Sequence, residues 1–299
     1  MTARSEAWQL LKNTFVEWWN DDVFRLSASL AFYTIFSVAP VLLIAVGVAS
    51  LFLARETASQ QIVAEMQRLI GPNGAHAVQQ VIQASSGFGK SIWAITTGLV
   101  TFLLGATAVF AELQAGLNKM WDVKAEARRG VILKLLFDRL RSFTIALAVG
   151  FLLLVSLVIS ALLTALRDYL NNWMPGMPAL WQTLNIAVSF LLITLLFAMI
   201  YKYLPDVKIT WRDVWIGAAV TAALFTGGKY LISLYLGQTA MASAFGAAGS
   251  FVVLLIWIYY SALICFFGAE FTQVYARRHS NGIVPEEHAH RVDTEASVG

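Results

Sequence analysis

Residues 246–270 read GAAGSFVVLLIWIYYSALICFFGAE, and from Tyr230 to Ala269 no residue is charged. About 20 apolar residues, each rising 1.5 Å, cross a hydrocarbon core of about 30 Å. Phe251–Ala269 therefore predicts a membrane-spanning helix. A small-residue run, Gly246-Ala247-Ala248-Gly249-Ser250, opens it, and an acid, Glu270, closes it. On a helical wheel Ser250, Trp257, Ser261, Cys265 and Gly268 share one face. Small residues there let a neighbouring helix approach closely. The alternative is that this face lines a cavity.

The rest of the chain agrees with a membrane setting. Of 299 residues, 58% are hydrophobic and 13% charged, which places the chain in the polytopic membrane class. The net charge of +3 fits the inside-positive bias of membrane loops better than a nucleic-acid partner. A single cysteine, Cys265, excludes an intrachain disulfide, and no zinc spacing occurs. The first 25 residues lack the apolar core of a cleavable signal, so the first span is expected to act as its own insertion signal.

Six spans are expected, at about 26–54, 91–110, 142–166, 180–201, 214–236 and 251–269, making residues 23–276 an all-α membrane domain. Before them, Trp8, Leu11, Phe15, Trp18 and Trp19 share one face of a helix within residues 1–22. Glu17 and Asn20 lie off that face. The pattern is that of an interfacial amphipathic helix with tryptophans at headgroup depth. A partner-binding helix is the alternative. The first span carries Pro40 after a hydroxyl-bearing half with Ser27, Ser29, Tyr33, Thr34 and Ser37, so a kink is expected there. Residues 55–90 read as an extramembrane helical hairpin broken at Gly71-Pro72-Asn73-Gly74. The polar residues 277–299 read as a flexible tail.

With six spans both termini share a side. That side carries 16 Lys and Arg residues and the other carries 4, which predicts cytoplasmic termini and an outer hairpin.

Several short pieces, in order, carry a family resemblance. They are Leu30-Ala31-Phe32-Tyr33 with Ser37-Val38-Ala39-Pro40, then Leu104-Gly105-Ala106 and Leu117-Asn118-Lys119-Met120-Trp121. Tyr201-Lys202-Tyr203-Leu204-Pro205, Trp211 and Gly217-Ala218 follow. Phe245 to Ser250, Trp257-Ile258-Tyr259 and Gly268-Ala269-Glu270 complete the set. Together, from about Arg25 to Glu270, they resemble the YihY/BrkB family of bacterial inner-membrane proteins, formerly labelled ribonuclease BN-like. The resemblance implies six spans in the cytoplasmic membrane and a name linked to serum resistance and virulence. A role in moving lipid or another envelope component has been proposed for members. No catalytic residue set transfers.

Three classes of function make different demands on these residues. RNA cleavage needs clustered metal ligands or an acid/base pair. The 4 histidines, His76 in the expected hairpin and His279, His288 and His290 near the end, form no such set, and no phosphate-binding glycine loop appears. No catalytic residue, metal or cofactor is therefore expected, and the chain reads as a non-enzyme. Transport needs polar groups inside the spans, which are costly and usually face a pathway. Lys229 is the one charge within the fifth span, flanked by Gly227 and Gly228. Asp168, at the outer end of the third span, is its expected partner. With Tyr33 and Ser37, these two are the candidate substrate-binding residues, for an anionic headgroup or other amphipathic envelope molecule. Pro40, Gly105, Gly227, Gly228, Gly246, Gly249, Ser250, Trp257 and Gly268 are the candidate packing and hinge positions. Glu112, Asn118, Trp121, Arg212 and Glu270 form the polar set at the cytoplasmic helix ends. The alternative to transport is a membrane scaffold or assembly factor. Membrane lipids are the expected partners, with a homo-oligomer or another protein left open.

Overall fold

The computed structural model describes residues 3–50, 54–85, 105, 108–125, 178–238, 249–279, 284–285 and 289–291. The second and third expected spans, Asp168 and Gly246 lie outside them, apart from Gly105 and residues 108–110 at the end of the second span. The described chain is almost wholly helical: α1 (Ala3–Asn20), α2 (Val23–Ala49), α3 (Arg55–Ser85), α4 (Pro178–Tyr203), α5 (Trp211–Gln238) and α6 (Gly249–His279). Residues 108–120 are also helical. Among the described residues three helices are long and apolar enough to cross a membrane: α4 over Ile186–Tyr203, α5 over Trp211–Ile232, and α6 from Phe251. This is a helical membrane protein.

Two compact units divide the chain. The first comprises Met1–Asp21, Gln114–Leu224 and Cys265–Gly299. Its centre is the second half of α6, where Cys265, Phe266, Ala269, Phe271, Thr272, Gln273 and Val274 are all buried. Two neighbouring helices meet α6 at glycines. A Cβ on Gly116 would stand 2.5 Å from the Phe266 ring. On α5, a Cβ on Gly217 would stand 1.8 Å from Thr272 Oγ1. On α6, one on Gly268 would stand 1.8 Å from Thr221 Oγ1. Gly217 faces Thr272 while Thr221 faces Gly268, so two glycine–threonine pairs, each four residues apart, interlock antiparallel. This is small-residue packing of the kind that draws membrane helices together. Both threonines donate back to their own helix, Thr221 to the Gly217 carbonyl at 2.7 Å and Thr272 to the Gly268 carbonyl at 2.6 Å. No hydroxyl is left unsatisfied at the contact.

Helix α1 lies against the same half of α6. Leu10 packs with Phe271 and Val274, and the Trp18 ring meets Phe267 edge-on at 5.8 Å. Trp18, expected on the outer apolar face, is thus buried with Leu10 and Thr14, at spacing i, i+4, i+8. Trp8, Leu11, Phe15 and Trp19 form the exposed stripe.

The second unit comprises Asp22–Leu113 and Phe225–Ile264. Here α2 packs on α3, and Phe225, Ile232, Val253 and Trp257 cluster between the end of α5 and the start of α6. Helix α2 continues through Pro40 to Ala49. The expected hairpin at 55–90 is corrected: α3 is one helix over 31 residues that runs through Gly71-Pro72-Asn73-Gly74. Good helix formers flank the break on both sides, and the buried Ala58, Ala75, Ala77 and Val78 supply packing that outweighs the local turn signal.

The last residues also differ from a plain tail. Helix α6 continues to His279. Strands β3 (Val284–Pro285) and β4 (Ala289–Arg291) pair antiparallel with β2 (Val207–Lys208) and β1 (Val123–Ala125) respectively. Short strand edges left open after two helices offer free backbone groups, and the chain end satisfies them.

Candidate functional site

Glu270, Gln273 and Arg277 stand at i, i+3 and i+7 of α6, on one face. In the first unit that face meets Glu17 of α1 and Asp122, at the turn after residues 108–120; Asp21 stands just past the end of α1. The turn closes through the Trp121 and Asp122 amides, which donate to the Leu117 and Lys119 carbonyls. Asp122 takes a left-handed φ of 51°, a conformation that aspartate tolerates better than most side chains. Its Oδ2 accepts from Gln273 Nε2 at 3.2 Å and from the Arg277 guanidinium. Arg277 also donates to Glu17 Oε2 at 3.2 Å. The Glu270 carboxyl lies in the field of Asp21, Glu17 and Asp122.

Two carboxylates, those of Glu17 and Asp122, therefore share one guanidinium. Accessibility is graded. The Glu17 and Arg277 side chains are 37% and 31% exposed, whereas Glu270 and Gln273 are each 1% exposed. Glu270 Oε2, Gln273 Oε1 and Trp121 Nε1 are buried with no hydrogen-bond partner among the described residues. Leaving such a group unpaired costs about 1–3 kcal/mol.

Two other polar knots in the unit are fully bonded. Asn118 donates from Nδ2 to Asp206 Oδ2 and accepts at Oδ1 from the Asp206 amide, both at 2.8 Å, and Gln114 adds a bond to the same carboxylate at 3.1 Å. Tyr201, wholly buried, donates from its hydroxyl to the Cys265 carbonyl at 2.7 Å, with Thr221 Oγ1 3.0 Å away. These knots fix helices in place.

The residues singled out from sequence fall in several places. Glu270, Asn118 and Trp121 belong to the first unit and to these knots. Arg212 is exposed near the start of α5, and Glu112 is half-buried. Gly268 and Gly249 are buried, and Trp257 sits in the cluster of the second unit. Ser37 is buried, donates to the Thr34 carbonyl at 2.9 Å and meets Gly105, whose Cβ would stand 3.2 Å away. Tyr33 is exposed, stacked edge-on against Phe32. Ser37 and Tyr33 are thus local to α2. Lys229 is half-buried and lies over the Tyr230 ring at 5.4 Å. Beside it, Gly227 has open space where a side chain would project, whereas a Cβ on Gly228 would meet Tyr260 Oη at 1.6 Å.

Glu17, Asp21, Asp122, Gln273 and Arg277 were not among the candidates. A signal existed: Glu270, Gln273 and Arg277 form a polar stripe continuing an apolar helix, and such a stripe needs partners when it is buried.

A family model described as virulence factor BrkB matches residues 14–293. The chain belongs to the BrkB family. Relatives of this member include the UPF0761 membrane proteins of Alkalilimnicola ehrlichii, 23% identical over 86% of this chain and 56% of theirs. That of Alcanivorax borkumensis is 26% identical over 92% and 62%, and that of Actinobacillus pleuropneumoniae 25% identical over 81% and 84%. This BrkB-family chain spans only 56% and 62% of the length of the first two. No solved structure matches it.

Proposed function

We propose that this chain is a non-enzymatic six-span protein of the bacterial inner membrane, with both termini cytoplasmic, that binds and moves an anionic amphipathic molecule such as a lipid. The observation that carries the reading is Lys229. It is a half-buried cation in an otherwise apolar stretch of α5, with open space beside it at Gly227. A cation inside a span is costly unless it has a task. Set about 22 Å from the start of the fifth span, it would meet a headgroup while the acyl chains stay in lipid. The exposed Trp8, Phe15 and Trp19 of α1 support a helix lying at the membrane interface.

A scaffold is the second reading. It is favoured by the interlocked Gly217–Thr272 and Gly268–Thr221 contacts, which leave no passage along that helix pair. Native mass spectrometry of the purified protein with anionic and zwitterionic lipids separates the two. Retained anionic lipid that is lost in Lys229→Met, with folding intact, supports the headgroup site. Equal retention in both proteins leaves the lysine only reaching toward the interface and favours the scaffold.

A further inference from the structure

We propose that the junction between α4 and α5 is a docking surface for anionic phospholipid headgroups, with Lys208 and Arg212 meeting the phosphate and Tyr203, Trp211 and Trp215 lying at headgroup depth. The surface is separate from Lys229 and stands whether or not that lysine holds a lipid.

Residues 201–215 carry Lys202, Asp206, Lys208, Arg212 and Asp213 as their charged side chains. The fold sorts them by sign. Asp206 is buried and held by Asn118 and Gln114. Asp213 is buried too, in the cap of α5. Its amide donates to Thr210 Oγ1 at 3.4 Å, and the Thr210 hydroxyl donates to Asp213 Oδ2 at 2.6 Å. Lys208 and Arg212 are exposed. Among the described residues neither side chain has an ion pair or hydrogen bond. With both acids turned inward, the surface of the junction is cationic.

Three aromatic side chains share that surface: Tyr203, Trp211 and Trp215 are 43%, 42% and 38% exposed. On α5, Trp211, Arg212 and Trp215 fall within an arc of about 100°. Trp211 is held from two sides. The Tyr203 ring meets it edge-on at 6.1 Å, and the Lys202 ammonium lies over it at 5.7 Å. Lys202 also donates to the Ile209 carbonyl, which ties the end of α4 to the turn before α5. The rings are thus set in place before a ligand arrives, which lowers the cost of binding.

Position selects the occupant. The apolar stretches long enough to cross a membrane, Ile186–Tyr203 and Trp211–Ile232, end and begin at this junction. The patch therefore lies where two helices leave the hydrocarbon, the depth at which Trp and Tyr concentrate. Cations at that depth attract anionic lipid. A soluble acidic partner would match the two cations but leave the three rings at the hydrocarbon edge without a role.

The test is native mass spectrometry of the full-length protein with phosphatidylglycerol and with phosphatidylcholine. The wild type should retain phosphatidylglycerol preferentially. Lys208→Gln and Arg212→Gln should each weaken that retention about fivefold, and the double variant about thirtyfold, with phosphatidylcholine unaffected. Both side chains are exposed, so the single variants carry the test if the double variant fails to fold. Removing the same charge elsewhere, with Arg55→Gln and Arg278→Gln together, should change little, and Lys229→Met should leave the effect of the double variant intact. Equal retention of the two lipids by the wild type, or wild-type retention of phosphatidylglycerol by the double variant, overturns the proposal. So does an equal loss in the Arg55 and Arg278 control. Displacement of phosphatidylglycerol by excess inorganic phosphate would make the patch a site for a soluble anion and overturn the lipid assignment.

Discussion

Replacing Gly268 by alanine adds one methyl group at a tight contact of α6. The new carbon would stand 1.8 Å from Thr221 Oγ1 and 2.5 Å from Tyr201 Oη. Neither neighbour can retreat cheaply. Both are wholly buried, and Tyr201 is tied to the Cys265 carbonyl. Overpacking of this kind costs about 1–3 kcal/mol. Displacing Tyr201 leaves a buried hydroxyl and carbonyl unpaired, which adds about 1–3 kcal/mol. The expected loss is therefore about 2–6 kcal/mol, a large part of a typical total of about 5–15 kcal/mol. The assay is built into the chain. Cys265 is its only cysteine and is buried, so a thiol-reactive fluorophore reports unfolding directly. Gly268→Ala should label at a clearly lower temperature than the wild type. Thr221→Ala removes the closest atom, so in that background the cost of Gly268→Ala should shrink by about 0.5–3 kcal/mol, the range of coupling between touching residues. Wild-type thermal behaviour of Gly268→Ala, or costs that simply add in the double variant, would refute the interlock.

Asn118→Ala should destabilise by about 1.5–3 kcal/mol, the range for a hydrogen bond to a charged group, because it strips two bonds from the buried Asp206; an unchanged labelling temperature would show that the remaining bonds suffice. Arg277→Ala removes the ties from α6 to Glu17 and Asp122. Trypsin should then cut after the exposed Lys12 of α1 up to about fivefold faster, equivalent to about 1 kcal/mol for a partly exposed ion pair; unaltered digestion would mean that apolar packing alone holds α1. In intact cells, a thiol probe excluded from the cytoplasm should label cysteine introduced at position 76 but not at 119 or 288, in a Cys265→Ser background; the reverse pattern would invert the topology. Stringently purified protein should leave RNA intact, and cleavage abolished by a point substitution would reverse the non-enzymatic reading.

The membrane helices were legible because a charge-free run has one economical solution in lipid. The expected 180–201 and 214–236 correspond to Pro178–Tyr203 and Trp211–Gln238. Where a run ends against protein instead of water, the pattern misleads. Glu270 reads as the end of a span, yet α6 continues to His279, because Glu270 and Gln273 are buried in the first unit. The same cause hid the acid cluster. Glu17 lies off the aromatic face of α1, and that other face is the one turned to α6. Local signals lost to packing at Gly71-Pro72-Asn73-Gly74, where a turn sequence lies within α3. The Gly217–Thr221 and Gly268–Thr272 spacings are visible in the sequence, but their pairing depends on which helices meet. Lys229 was legible as a lone charge in an apolar helix. Its expected partner Asp168 lies outside the described residues.

Movement of an anionic amphipathic molecule is tested most directly by reconstituting the full-length protein into vesicles that carry a trace of fluorescent anionic lipid and adding a membrane-impermeant quencher. The wild type should make the inner-leaflet lipid accessible faster than in protein-free vesicles, with Lys229→Met slower than the wild type at equal incorporation. Wild-type rates equal to those of empty vesicles, for anionic and zwitterionic lipid alike, would contradict transport of a lipid by this chain.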